Sequence, residues 1–209
     1  MQNHAQDAKG RGRPPKQRGD KLLTREMLVH VGTEVLTEKG YSAVGVDEIL
    51  QRTGISRCSF YYYFKTKEGF GAELIDRYRL SITQKLERCL SDTSPLGSLR
   101  AFVGEVRDEM ARTDCRSGCL AGKLAQEVNT LPENFREQLS AVFAEWQDVF
   151  ARGLKRAQET GEISPELDCA STAAFFWYGW EGALQRANLE LNIKPVDIFI
   201  GNFFSRLTG

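Results

Sequence analysis

The stretch from Val46 to Phe64 constrains the fold more than any other. It reads as two short helices, Val46 to Arg52 and Arg57 to about Phe64. Thr53-Gly54-Ile55 makes a tight break between them, and Ser56 can cap the second. Gly45 stands at the N-cap of the first, with Asp47 and Glu48 in its opening turn, where negative charge suits the helix dipole. Two short helices joined by a brief turn containing glycine describe a helix-turn-helix. Upstream, from Asp20 to Lys39, Leu23, Met27, Val31 and Val35 recur on one helical face, widened by Leu28 and Leu36, and Gly40 fits the position that ends a helix. Ile49, Leu50, Ile55, Phe60 and Phe64 can close a small core against that helix.

What this core leaves outside is a polar and aromatic set: Ser56, Arg57, Ser59, Tyr61, Tyr62 and Tyr63. Tyrosine hydroxyls on a solvent face suit phosphate contacts, and an arginine at a helix start can reach a base edge or the backbone of DNA. Lys65 and Lys67 flank the start of the next helix, where backbone N–H groups and lysines together hold phosphate. An ordinary three-helix subdomain gives no reason for three adjacent tyrosines bracketed by basic residues. Before them, Lys9-Gly10-Arg11-Gly12-Arg13-Pro14-Pro15-Lys16 is too rich in glycine, proline and charge to pack. It reads either as a solvated tail or as an arm that lays Arg11 and Arg13 into a minor groove. The 28 basic and 28 acidic residues cancel overall, yet the split is uneven: 12 basic against 7 acidic up to Lys67, and 16 against 21 beyond it. A basic end joined to an acidic body suggests that one end meets a polyanion.

Gly40-Tyr41, Val46-Asp47-Glu48-Ile49-Leu50, Thr53-Gly54-Ile55-Ser56-Arg57 and Ser59-Phe60-Tyr61-Tyr62-Tyr63-Phe64-Lys65-Thr66-Lys67-Glu68 together resemble the DNA-binding domain of the TetR family of transcriptional regulators, across Leu22 to Leu74. Three positions depart from the usual pattern: Cys58 in place of glycine, Tyr62-Tyr63 in place of a pair containing histidine, and Gly45 in place of a phosphate-contacting threonine. The resemblance implies an all-α homodimer. An N-terminal three-helix helix-turn-helix domain would bind a palindromic double-stranded DNA operator. A larger C-terminal helical domain would bind a small-molecule effector and form the dimer. The chain then divides into a flexible basic arm (1–20), a DNA-binding domain (21–67) and an effector-binding and dimerisation domain (68–209). The expected DNA contacts are Arg11, Arg13, Ser56, Arg57, Ser59, Tyr61, Tyr62, Tyr63, Lys65 and Lys67.

Beyond Lys67 the pattern predicts helices at Lys67–Cys89, Pro95–Arg112, Cys119–Asn129, Pro132–Thr160, Cys169–Leu191 and Pro195–Leu207, the three prolines each suiting a first turn. Phe143, Trp146 and Phe150 share one stripe, while the run Phe175-Phe176-Trp177-Tyr178-Gly179-Trp180 points around its whole helix. Some of its rings must face a partner or a cavity. Trp146, Phe176, Trp177 and Trp180 are the expected pocket walls, and Arg186 is the candidate cation for an acidic ligand. The last two helices are expected to pair with their two-fold mates, as the resemblance implies, through Phe199, Phe203 and Phe204. If Ser117 or Gly118 caps the helix that follows, Cys119 falls in its first turn, where the dipole lowers a thiol's pKa. The other reading of Cys119 is a buried, inert hydrophobe. Gly118-Cys119-Leu120 and Trp180-Glu181-Gly182-Ala183 resemble the AcuR/NemR-like branch of the family, whose members respond to acrylate and to electrophiles. That resemblance implies an electrophilic or unsaturated acid as effector, although Asn188 stands where related sequences carry a lysine.

The remaining composition removes other classes. His4 and His30 both lie near the N-terminus, which excludes Ser/His/Asp or Cys/His catalysis and histidine zinc sites in the body of the chain. No Walker A or G-x-G-x-x-G motif occurs, so no enzyme, cofactor or metal site is expected. The five cysteines include no C-x-x-C pair and read as free thiols. Neither a secretory signal nor a bilayer-length apolar run is visible, which predicts a cytoplasmic protein without a membrane partner. The alternative to a ligand-controlled repressor is a helical protein–protein adaptor without ligand control, for which the basic arm and tyrosine helix have no use.

Overall fold

The computed structural model describes residues 18–208, with side chains from Lys21 onward; these form nine helices and no strand. The chain closes α1 (Arg18–Lys39) with Gly40 at φ +84°, a conformation that favours glycine. Gly54, also left-handed, ends α2 (Val46–Thr53) by returning its N–H to the Leu50 carbonyl. Ser56 starts α3 (Arg57–Phe64), its hydroxyl accepting from the Ser59 N–H at 3.2 Å. Thr66 does the same for α4 (Lys67–Leu90), and Ser94 for α5 (Pro95–Arg112), which has Pro95 in its first turn. A short α6 (Leu120–Gln126) leads to α7 (Glu133–Glu159). Asp168 caps α8 (Cys169–Glu190) by accepting from two backbone N–H groups, and α9 (Lys194–Thr208) closes the described chain.

Helices α4, α7 and α8 pack in sequence at the centre, with α5 across α4 and α7, and α9 against α8. The first three helices and the start of α4 share an aromatic cluster that is continuous with the rest of the core. Phe60, Phe64 and Phe70 meet there at ring-centroid distances of 4.8 to 5.3 Å. A second aromatic core lies between α7, α8 and α9, where Phe150 stacks on Phe176 at 4.1 Å and Trp146 on Trp177 at 5.2 Å. No helix among the described residues is long and apolar enough to cross a membrane.

Three expectations change. On α1, Leu23 and Met27 are 68% and 49% exposed, and the buried row is Thr24, Leu28, Gly32, Val35 and Leu36. A Cβ at Gly32 would lie 2.3 Å from the Phe70 ring, so α4 seats against this glycine and sets the rotation of α1. Helix α6 is shorter than predicted, with Cys119 as its extended N-cap and Glu127 as its C-cap; Pro132 precedes α7 instead of opening it. Finally, Phe203 and Phe204 are buried inside the protomer, and Phe199 is half-buried over Gly179, whose Cβ would sit 2.3 Å from that ring. These three were expected at a subunit interface. The close approach that Gly179 permits draws them into the chain's own core. Phe175, Tyr178, Gly182 and Leu189 of α8, with Ile198 and Gly201 of α9, face outward in their place.

Candidate functional site

The local caps make α3 a rigid platform with a polar face. Tyr61 and Tyr62 are exposed, and Tyr63 is half-buried with its ring 5.2 Å from that of Tyr62. The ammonium groups of Lys21 and Lys65 lie 5.8 and 5.6 Å from the Tyr62 ring centroid, which gathers two cations and a phenol at one end of the helix. At the other end Arg57 donates to Asp47 of α2, both side chains exposed. Ser56 and Ser59 share a side-chain hydrogen bond at 3.0 Å. Lys67 is placed differently from the sequence reading. Its ammonium donates to the Tyr41 carbonyl at 2.8 Å and lies 4.1 Å from the Tyr41 ring, so it clamps the α1–α2 loop. Burial lowers its pKa and nearby Glu127 opposes that shift. Arg11 and Arg13 lie outside the described residues.

A cavity of about 530 Å³ opens between α6, α7 and α8. Its walls include Phe143, Ala144, Trp177 and Tyr178, and its polar lining includes Gln126, Gln147, Gln185 and Glu181. A smaller cavity of about 60 Å³ adjoins it, sharing Gly122, Gln126, Glu181 and Gln185 and adding Cys119, Lys123 and Asn188. Of the expected pocket residues, Cys119 and Trp177 border these spaces. Trp146, Phe176 and Trp180 do not; they are buried in the ring stack beneath. Arg186 is exposed and ion-paired with Glu190, so the expected cation for an acidic ligand is absent from the lining.

Cys119 also needs correction. Its sulfur accepts from the Gly122 N–H at 3.4 Å at the start of α6, yet burial and the adjacent Glu181 hold the thiol well above its usual pKa. The pull of a seven-residue helix does not overcome that desolvation, so the group is a thiol at neutral pH. Burial likewise raises Tyr78, which faces Cys119 and Glu181, and pushes Glu181 up to about 7. Sequence reasoning missed Glu181 as a site residue. Its place four residues after Trp177, on the same helical face, was the available signal.

Helix α6 connects the cavity to the first domain. At its start, a Cβ on Gly122 would meet Glu181 Oε2 at 1.8 Å, so this glycine admits the carboxyl. At its end, Glu127 Oε2 accepts from the Ser42 N–H at 2.8 Å, and a Cβ on Gly40 would lie 1.6 Å from Glu127 Oε1. Thr130 and Ser42 add a hydroxyl–hydroxyl contact at 3.3 Å. The cavity wall and the α1–α2 loop are thus joined through one short helix.

Residues 28–74 match the family model for bacterial regulatory proteins of the tetR family, and residues 95–203 match the tetracyclin repressor-like C-terminal domain. The chain is 44% identical to the transcriptional regulator AcuR of Cereibacter sphaeroides, covering 92% of this chain and 89% of the relative. It is 28% identical to the HTH-type transcriptional repressor NemR of Escherichia coli K12, covering 83% and 88%. The crystal structure of a TetR regulatory protein from Rhodobacter sphaeroides superposes with a TM-score of 0.83 at 42% identity, over 88% of this chain and 98% of that one. The capped tyrosine helix, the ligand-sized cavity behind it and these matches over both halves converge: the chain belongs to the TetR family of transcriptional regulators.

Proposed function

We propose that the protein is a homodimeric repressor that binds a palindromic operator and leaves it when a small molecule occupies the cavity between α6, α7 and α8. The observation that carries this reading is α6, which borders the cavity at Gly122 and holds the α1–α2 loop through Glu127. Regulators of this family are not enzymes, and no cluster of His, Cys, Asp and Glu among the described residues could hold a metal. On DNA, Arg57, Ser59, Tyr61, Tyr62 and Lys65 make the α3 contacts, Lys21 adds a phosphate contact, and Lys67 keeps the loop in place while its helix end meets the backbone. The outward face of α8 and α9 is the dimer surface, its open flanks at Gly182 and Gly201 allowing helices of a second copy to approach closely. Two recognition helices then stand roughly 34–36 Å apart, or a multiple of that, on successive major grooves. The NemR relative is named a repressor, which supports that sign of control.

The effector acts by favouring a spacing of the two DNA-binding domains that does not fit the operator. It must bind that state better, since equal affinity shifts nothing. With Cys119 protonated, occupancy of the cavity and not alkylation of the thiol carries the signal. The test is fluorescence anisotropy on DNA from the region upstream of the protein's own gene, across a salt series. Specific binding that weakens steeply with salt, by a species that sediments as a dimer at micromolar concentration, is the expected result. A stable monomer, or a chain indifferent to all DNA, would overturn the reading and favour an adaptor.

A further inference from the structure

Helix α2 opens with two acids, and they go different ways. Glu48 accepts from Lys39 Nζ at 2.7 Å and from Arg52 Nη2 at 3.1 Å, so its charge is met by α1 and by its own helix. Asp47 accepts from Arg57 Nη2, and this is the ion pair that joins the start of α2 to the start of α3 among the described residues. Both side chains are exposed, 75% for Asp47 and 58% for Arg57. A pair this open to water and salt contributes little to stability. Its carboxylate nevertheless stands beside the α3 face proposed to meet DNA, where an unpaired negative charge weakens binding. The placement is fixed from both sides. Gly54 turns the chain between the helices in the left-handed conformation, and the Ser56 cap holds Arg57 as the first residue of α3. One N–H of Arg57 goes to Asp47; its Nε and Nη1 groups have no partner among the described residues.

We propose that Asp47 is a positioning residue for sequence recognition: it holds the Arg57 guanidinium so that the free edge reads a guanine in each half of the operator. This rests on α3 reading an operator, and adds the base that is read and the residue that orients its reader. In a helix-turn-helix the first residues of the second helix reach base edges in the major groove, and Arg57 is the first of α3. A guanidinium carries five N–H donors. Asp47 takes one, and guanine takes two more through O6 and N7. Adenine presents a donor in place of O6, and neither pyrimidine offers two such acceptors. The carboxylate also works against wrong sequences. A free arginine facing the wrong base can turn to a phosphate and keep its charge satisfied, which adds affinity without sequence information. Here that turn leaves Asp47 beside the DNA without a counter-charge. Asp47 thus lowers affinity for DNA in general and raises discrimination at one base pair. Lys21 and Lys65, at the other end of α3, pair with no acid among the described residues and remain free for phosphate.

The experiment starts from in vitro selection by the full-length protein on duplexes with a randomised core of about 30 base pairs, room for two half-sites a helical turn or more apart. The selected site, each of its single-base-pair substitutions and a scrambled duplex are then titrated by fluorescence anisotropy. The proteins are wild type, Asp47→Ala, Asp47→Asn, Arg57→Ala and the double alanine variant. Wild type is expected to select one G·C pair per half-site whose replacement weakens binding by about tenfold or more. Arg57→Ala should abolish that preference and spare the others. Asp47→Ala should weaken the preference at the same pair, yet bind the scrambled duplex more tightly. Its salt slope should steepen by about one for each Arg57 that turns to a phosphate. Asp47→Asn, which keeps an acceptor without the charge, should lie between wild type and Asp47→Ala. The double variant should show the same base profile as Arg57→Ala, because Asp47 acts through Arg57. A residue that only stabilised α2 would change affinity for every duplex alike. Should Asp47→Ala fail to fold, by circular dichroism, Asp47→Asn and Arg57→Ala still decide. An Asp47 variant with an unchanged base profile, or one altered at a different pair from Arg57→Ala, overturns the proposal and leaves the DNA-binding reading standing. So does an Arg57→Ala variant that keeps every preference. A wild type that selects no sequence and binds no duplex overturns both.

Discussion

Within the helix-turn-helix, polar groups find partners a few residues away. Ser56 accepts from Ser59, Gly54 donates to Leu50, and the Thr53 hydroxyl donates to Ile49. Around the cavity the partners come from α4, α6 and α8, and two polar atoms have none. The first arrangement is a locally completed platform that leaves Arg57, Tyr61, Tyr62 and Lys65 exposed. The second leaves two buried polar atoms without a partner among the described residues. A locally capped first domain and a cavity lined by residues from distant segments thus sit in one chain, joined by α6.

The largest effect expected from breaking this contrast is on stability. Glu181 is held near 7 when folded and returns to an ordinary carboxylate pKa when unfolded. Between about pH 4.5 and pH 7 the unfolded chain therefore releases a proton that the folded chain keeps, so stability falls as pH rises and levels off above 7. Glu181→Gln should remove this slope and leave the protein up to about 3 kcal/mol more stable than wild type at pH 8, with no gain at pH 4.5. Denaturant melts at the two pH values check both signs. A wild type that grows more stable from pH 5 to 7 through this residue would contradict its buried placement.

Next in size is the junction. Glu127→Ala removes a charge-assisted bond to the Ser42 N–H, worth roughly 1 kcal/mol at this exposure. The more telling readout is coupling. All three tryptophans belong to the second domain, so operator binding should alter tryptophan emission in wild type and leave it unchanged in Glu127→Ala. Emission that still responds would move the link elsewhere.

Ser56→Ala should cost about 1 kcal/mol by removing the α3 cap, and it should do so equally at all pH values, because the capping hydroxyl does not titrate. A pH-dependent loss would show that the reader is not as locally determined as its geometry indicates. Two smaller measurements refine the picture. Lys65→Ala should weaken binding to all sequences alike and lower the salt slope by about one for each phosphate that is no longer neutralised. Brief iodoacetamide treatment at pH 7 should label exposed Cys58 and spare Cys119. Rapid loss of the Cys119 thiol would restore it as a reactive sensor.

How far the sequence can be read follows the same division. Helix ends at Gly40, Gly54 and Ser56, and the tyrosine set on α3, were legible because caps and turns depend on neighbours within four residues. The rotation of α1 was not: Leu23 and Met27 share a helical row as apolar as the buried one, and only the seating of Phe70 on Gly32 chose between them. Phe199, Phe203 and Phe204 are apolar wherever they point, and the approach of α9 at Gly179 turned them inward.

Cys119 shows the limit most clearly. Its position at a helix start is visible in the sequence and argues for a thiolate, but whether a thiol ionises depends on what surrounds it in space. Glu181, 62 positions later, and the burial that both share reverse the sign. By itself, then, the sequence determined the helices, their order and the polar, aromatic face of α3, since hydrophobic period and capping are short-range. Only the tertiary structure decided which side of each helix meets a neighbour, and with it the cavity, its buried carboxyl and the protonation of its thiol, because desolvation is a property of contacts between distant segments.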